Sequence, residues 1–157
     1  MAEPQKDIPH VVAPPPLVFL GWLAAGLALD WLWPLGRLSA GLWHYLIALP
    51  LVLAGLLIGL LGARQLRRAR TEVSPYRPAT TLVTGGVYGF SRNPLYLSLT
   101  LLFLGIAVAA NGVWSLLFVF PCLLVIRYGV IAREEAYLER KFGQSYGAYK
   151  ARVRRWL

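Results

Sequence analysis

"NPLYLSLTLLFLGIAVAANGVWSLLFVFPCLLVIRYGVIA", residues 93–132, decides the fold. It contains two apolar runs, Leu95 to Ala110 and Val113 to Ala132, separated by the tight turn "AANG" at 109–112. The runs are continuous rather than alternating, which favours helices over barrel strands, and a helix satisfies its own backbone hydrogen bonds in lipid. At 1.5 Å per residue, about 20 residues cross roughly 30 Å of hydrocarbon. The first run is short for this and gains length from Asn93 and Pro94, a favoured N-cap followed by a residue favoured at the first helical position. The stretch therefore reads as a transmembrane helical hairpin.

Upstream, Leu17 to Trp33 and Trp43 to Ala63 repeat the pattern, and 57% of the 157 residues are hydrophobic, far above the share in an ordinary soluble domain. The expected fold is all-α: four transmembrane helices at about 17–33, 43–63, 94–110 and 113–132, in one domain spanning 17–157 after an arm at 1–16. The formal net charge is +9, but nearly all of it lies outside the apolar runs, so it reads as membrane-proximal charge and not as a nucleic-acid footprint. Lys6 precedes the first run, Arg64 to Arg92 fill the central loop, and the rest lie from Arg127 onward. Only Arg37 lies in the first short loop, so 15 of the 16 basic residues fall on one side. The positive-inside rule then predicts a multi-pass membrane protein with both termini and the central loop in the cytoplasm. The N-terminal arm lacks the basic start and apolar stretch of a signal peptide. The single cysteine, Cys122, permits neither an intrachain disulfide nor a cysteine-based metal site.

Packing signals lie within these runs. Gly55 and Gly59 form a small-xxx-small pair, with Gly62 close by, suited to a neighbouring helix or equally to a second copy of the chain. Pro50 and Pro121 are expected to kink their helices. Trp31, Trp33 and Trp43 form an aromatic belt at the outer interface, where Asp30 is given an interface role.

Two polar constellations flank the hairpin. Gly85, Gly86, Tyr88, Arg92 and Tyr96 surround the start of the third helix, whose free N–H groups suit an anion. At the far end, Arg127 and Glu134 are seven residues apart, as are Tyr128 and Glu135, so each pair is expected on one helical face. Arg127, at the edge of an apolar run, is either partnered and functional or snorkels to the interface. From Glu134 onward an amphipathic helix is expected over about 134–156, with Leu138, Phe142, Tyr146 and Tyr149 on its apolar side and Trp156 anchoring it to the membrane surface.

"TGGVYGFSRNPLYL", then the hairpin, then "EEAYLERKFGQSYGAYKARVRR" resembles the isoprenylcysteine carboxyl methyltransferase and phospholipid methyltransferase family of integral-membrane enzymes. The resemblance covers residues 82–155 and rests on Tyr88, Arg92, Pro94, Tyr96, Glu134, Glu135, Phe142, Gly143, Tyr146 and Tyr149 in fixed order. It departs at Asn93, where many members carry histidine; neither His10 in the arm nor His44 at the outer face takes that place.

The resemblance implies S-adenosylmethionine as cofactor, capped on the cytoplasmic side by the central loop and the C-terminal helix. It also implies a lipophilic methyl acceptor that enters from the bilayer. Tyr88, Arg92, Asn93, Pro94, Tyr96, Arg127, Glu134, Glu135 and Tyr146 are then the expected cofactor-binding residues, with Arg92, Asn93 and Glu135 at the catalytic centre. The chemistry suits the ligand. Arginine forks fit its carboxylate, glutamates its ammonium or ribose hydroxyls, and tyrosines its adenine. Methyl transfer from a sulfonium chiefly demands alignment and exclusion of water. Asn93 cannot act as a base, so it is expected to orient, and no base is assigned. No glycine-rich dinucleotide fingerprint follows a strand. Two other readings are a nicotinamide-dependent membrane reductase similar to the steroid reductases and a non-catalytic membrane protein whose basic cap binds anionic lipid.

Overall fold

The computed structural model describes residues 8–9, 11–71 and 76–157; Lys6 and His10 lie outside the described residues. Six helices are present among them: α1 (Pro15–Leu32), α2 (Trp43–Arg68), α3 (Pro94–Ala109), α4 (Val113–Leu117), α5 (Val119–Val125) and α6 (Ala132–Arg152). A 3-10 turn, Gly86–Gly89, precedes α3, and a π-helical turn, Ile126–Ile131, joins α5 to α6. Among the described residues there is no strand, only an isolated bridge between Arg37 and Gly112. Three helical runs are long and apolar enough to cross a membrane: Pro15–Leu32, Trp43–Arg68 and the continuous Val113–Arg152, with Pro94–Ala109 a shorter apolar fourth. The apolar part of the last run ends at the π turn; α6 beyond it is rich in charge.

α3 is the central helix, with α2 packed along it and α1 against α3, α4 and α5. The glycines decide the α2–α3 contact. A Cβ at Gly59 falls 2.5 Å from Ser98 Oγ, and one at Gly55 falls 3.0 Å from the Ser98 carbonyl oxygen, so larger residues would hold the helices apart. The close approach lets Ser98 Oγ donate to the Gly55 carbonyl at 2.8 Å, a bond worth most where water is absent. The small-residue face is thus used within the chain. The opposite side of α2 exposes Leu46, Leu49, Leu53, Leu56, Leu57 and Leu60, a continuous apolar surface of the kind that lipid covers.

The core joins Phe19 and Leu23 of α1, Phe103 and Ala107 of α3, Val119 and Cys122 of α5, and Ile126, Val130 and Ile131 of the π turn. Phe19 and Phe103 meet edge to face at 6.4 Å. Pro50 lies inside a continuous α2. Pro121 acts where expected: lacking an N–H, it leaves the Leu117 carbonyl without its helical donor, and α4 gives way to α5 at Phe118.

The interface role expected of Asp30 proves to be a specific cap. Its carboxylate accepts the Trp114 N–H at 2.8 Å and the Ser115 N–H at 2.9 Å, satisfying two donors of the α4 start that no local side chain caps. A Cβ at Gly112 would collide with the same carboxylate. Beside it, Asn111 takes a left-handed φ of 57° and exchanges two hydrogen bonds with Ser39, each 2.9 Å, tying the α1–α2 loop to the hairpin turn. Trp31, Trp33 and Trp43 are exposed at this end. Replacing Asp30 with Ala is expected to cost about 2 kcal/mol, the upper range for losing a helix cap; equilibrium unfolding in detergent measures it, and an unchanged midpoint contradicts this role.

Candidate functional site

The cavity lies at the opposite end of the bundle, where α2 ends and α3 begins. Leu66 and Thr71 line it from α2 and its exit, and Arg77, Ala79, Thr81, Leu82 and Val83 from the central loop. Tyr88, Arg92, Asn93, Pro94, Leu95 and Tyr96 line it from the entry to α3, and Glu134, Glu135, Tyr137, Leu138, Tyr146 and Tyr149 from α6. The two constellations expected from the sequence therefore share one cavity.

Two glycines shape its walls. Gly86 has a φ of 55°, and a Cβ there would fall 2.6 Å from Gln65 Oε1; Gln65 Nε2 in turn donates to the Gly85 carbonyl at 2.5 Å. This fixes the turn carrying Tyr88 against the end of α2. Gly143 has a φ of 49°, open to glycine and strained for other residues, and it breaks α6. Lys150 pairs with Glu139 across the break. Eleven residues of straight helix span about 16 Å, so this contact requires the second arm to fold back. That arm buries Tyr146 and Tyr149, whose rings meet edge to face at 6.0 Å, and Tyr149 Oη donates to the Tyr88 carbonyl at 2.7 Å. The single amphipathic helix expected over 134–156 is corrected accordingly: it bends at Gly143 and ends at Arg152.

The remaining residues form an extended tail pinned beneath α3. The Arg92 N–H donates to the Arg154 carbonyl at 3.0 Å, while Asn93 Nδ2 and Ser91 Oγ donate to the Arg155 carbonyl at 3.0 and 3.3 Å. Trp156 packs against the core cluster. Asn93 is corrected as well: its side chain makes no capping bond, because the amide is directed at the tail.

Charge is concentrated on one cluster. Glu135 accepts from Arg155 Nη2 at 2.6 Å and Nε at 3.1 Å, and forms an ion pair with Arg92 Nη2 at 3.0 Å. Both of its oxygens are thus engaged, whereas Glu134 accepts a hydrogen bond from Tyr96 Oη at 2.6 Å. The neighbouring carboxylates have different tasks: Glu135 holds arginines and Glu134 faces the cavity. Burial, offset by the Tyr96 hydrogen bond and reinforced by Glu135, raises the Glu134 pKa to about 7. Burial likewise raises that of Tyr88. Only 8% of the Arg92 side chain is exposed, yet Nε and Nη1 have no partner. Leaving such donors unpaired costs about 1–3 kcal/mol each, more in charged groups, so each of these Arg92 donors can accommodate an anion.

Arg127 does not join the cluster. It is exposed and lies over the Tyr128 ring at 5.4 Å. The seven-residue spacing assumes an uninterrupted α-helix, but the π turn adds a residue and rotates the rest of the helix by roughly 100°. Sequence reasoning also misses Arg155, Thr71 and Tyr137. Tyr137 Oη accepts the Ala79 N–H at 3.1 Å, bringing the loop to α6; its position three residues after Glu134, on the same helical face, is the signal that could have found it. For Arg155 no local pattern exists.

The family model described as phospholipid methyltransferase matches residues 43–145, a span that includes α2, the cavity loop, α3 and the first arm of α6. The chain belongs to the phospholipid methyltransferase family. An uncharacterized protein of Haemophilus influenzae is 48% identical over 63 residues, which is 40% of this chain and all of the relative. No solved structure matches. This phospholipid methyltransferase family member is accordingly an all-helical membrane-type methyltransferase with its cavity at the Arg92–Glu135 cluster.

Two substitutions test the cluster through stability. Glu135→Ala leaves Arg92 buried without its carboxylate and is expected to cost at least about 3 kcal/mol, read from denaturant unfolding in detergent; a loss under about 1 kcal/mol contradicts a buried pair. Glu134, with a pKa of about 7 when folded against 4.5 ordinarily, takes up a proton on folding between those values. Its contribution is therefore complete below the lower value and is lost as pH rises through the window. Glu134→Gln is expected to remove that part of the decline, and an identical pH profile in the variant contradicts it.

Proposed function

We propose that this protein transfers a methyl group from S-adenosylmethionine to a lipidic or small amphiphilic acceptor carrying a carboxylate, thiol or amine. The observation that carries the reading is that Nε and Nη1 of buried Arg92 are unpaired beside a cavity that also presents a carboxylate, Glu134, and buried tyrosines. These residues fit the cofactor's parts. Either unpaired Arg92 donor suits the carboxylate by a charge-assisted bond. Glu134 suits the ammonium, and Tyr88, Tyr146 and Tyr149 offer ring faces and edges to the adenosine. The cofactor, when bound, supplies a methyl group on a positively charged sulfur. The protein's part is to hold and align, and to keep water from the reacting atoms. Asn93 serves by positioning the loop that carries Arg92, and Glu135 by gripping Arg92.

The apolar part of the cavity lining, Leu66, Leu82, Val83, Leu95 and Leu138, supports an acceptor with a hydrocarbon portion. The basic residues at this end, Arg64, Arg67, Arg68 and Arg70 on one side and Arg152 and Arg154 on the other, support four crossings with the cavity and both termini in the cytoplasm.

Isothermal calorimetry with detergent-purified protein and S-adenosylhomocysteine tests the reading. Arg92→Ala is expected to weaken binding by at least about tenfold, the scale of one charge-assisted hydrogen bond. Affinity is expected to fall as pH drops through about 7, where Glu134 takes up its proton, because a neutral carboxyl attracts an ammonium less. No binding by the parent protein, or displacement by a reduced nicotinamide nucleotide in place of the adenosyl ligand, overturns it.

A further inference from the structure

We infer that Arg155, in the C-terminal tail, is a positioning residue that keeps both unpaired donors of Arg92 open to a ligand; the inference rests on the cofactor reading above. Guanidinium and carboxylate pair best two-pronged. Glu135 has one such partner, and it is Arg155, through Nη2 at 2.6 Å and Nε at 3.1 Å. Arg92 is thereby limited to a single contact, Nη2 to Oε1 at 3.0 Å, and this is why Nε and Nη1 stay unpaired. Without Arg155, the second carboxylate oxygen is free, and a buried guanidinium with two unsatisfied nitrogens turns onto it. One of the two donors open to a ligand carboxylate is then consumed by Glu135, and the guanidinium is turned away from the ligand.

The tail is held in place to do this. The Arg154 carbonyl accepts the Arg92 N–H, and the Arg155 carbonyl accepts from Asn93 and Ser91. Backbone and side chain of one short segment thus grip both the loop bearing Arg92 and the glutamate that orients it. Asn93 accordingly couples the tail to the start of α3, a task that its amide performs by donating where a carbonyl waits.

The test compares two nucleosides that differ at the amino-acid end: S-adenosylhomocysteine, which carries the carboxylate, and 5′-methylthioadenosine, which lacks it. In Arg155→Ala, affinity for the first is expected to fall by about tenfold or more, and for the second by less than about twofold, since the substitution removes a single charge-assisted pairing with the ligand. Equal losses for both reveal general disruption and overturn the inference, as does no loss for either. The Arg92→Ala, Arg155→Ala double variant is expected to bind S-adenosylhomocysteine no worse than Arg92→Ala alone, because both changes act through one contact; additive losses contradict this. Hydrogen exchange without ligand provides a readout independent of the cofactor. The Arg92 amide is expected to exchange faster in Arg155→Ala, and unchanged exchange overturns the coupling. A parent protein that binds neither nucleoside defeats the cofactor reading, and the exchange comparison then decides the tail's hold on Arg92 by itself.

Discussion

A carboxylate between two guanidinium groups organises the cavity end of this fold. Glu135 lies on α6, Arg92 on the loop entering α3 and Arg155 on the tail, and none is a sequence neighbour of another. A buried charge with two opposite partners lowers the cost of desolvation that either pair alone would carry. The surplus positive charge then remains on buried Arg92, whose Nε and Nη1 are unpaired.

The bundle exists to bring these residues to one place. α2 and α3 approach closely because Gly55, Gly59 and Gly62 leave room, and this carries Leu66 and Gln65 to the loop before α3. α1 is tied through Asp30 to the start of α4, fixing the far end. Between them the π turn reorients the last helix so that Glu134 and Glu135 face the cavity while Arg127 does not. π turns are uncommon and concentrate at functional sites. Here the irregularity adjoins the N-terminal arm, whose Val12 N–H bonds the Gly129 carbonyl at 3.2 Å, so its backbone is partly satisfied from outside the helix.

The membrane helices are legible in the sequence because hydropathy over about 20 residues is a strong signal, and Pro94 at the first position of α3 and the glycine face of α2 come from local sterics. Arg92, Tyr96, Glu134 and Tyr146 reach the cavity as the two constellations suggest. The rest escapes sequence reasoning for physical reasons. Periodicity misplaces Arg127 because it assumes one helical type, and the π turn breaks that assumption. Asn93 has the type and position of a cap, but a carbonyl 62 residues away in sequence captures its amide instead. Arg155 and Trp156 look like the end of an amphipathic helix, and only the reversal at Gly143 returns them to the core. Gly143 is visible as a residue, but its backbone angle is not.

The most direct measurement is a structure of the detergent- or nanodisc-embedded protein with S-adenosylhomocysteine. The account predicts the ligand's carboxylate on Arg92 Nε or Nη1, its ammonium beside Glu134, and Glu135 still forked by Arg155. A ligand bound elsewhere, or one that leaves both Arg92 Nε and Nη1 unpaired, contradicts the account.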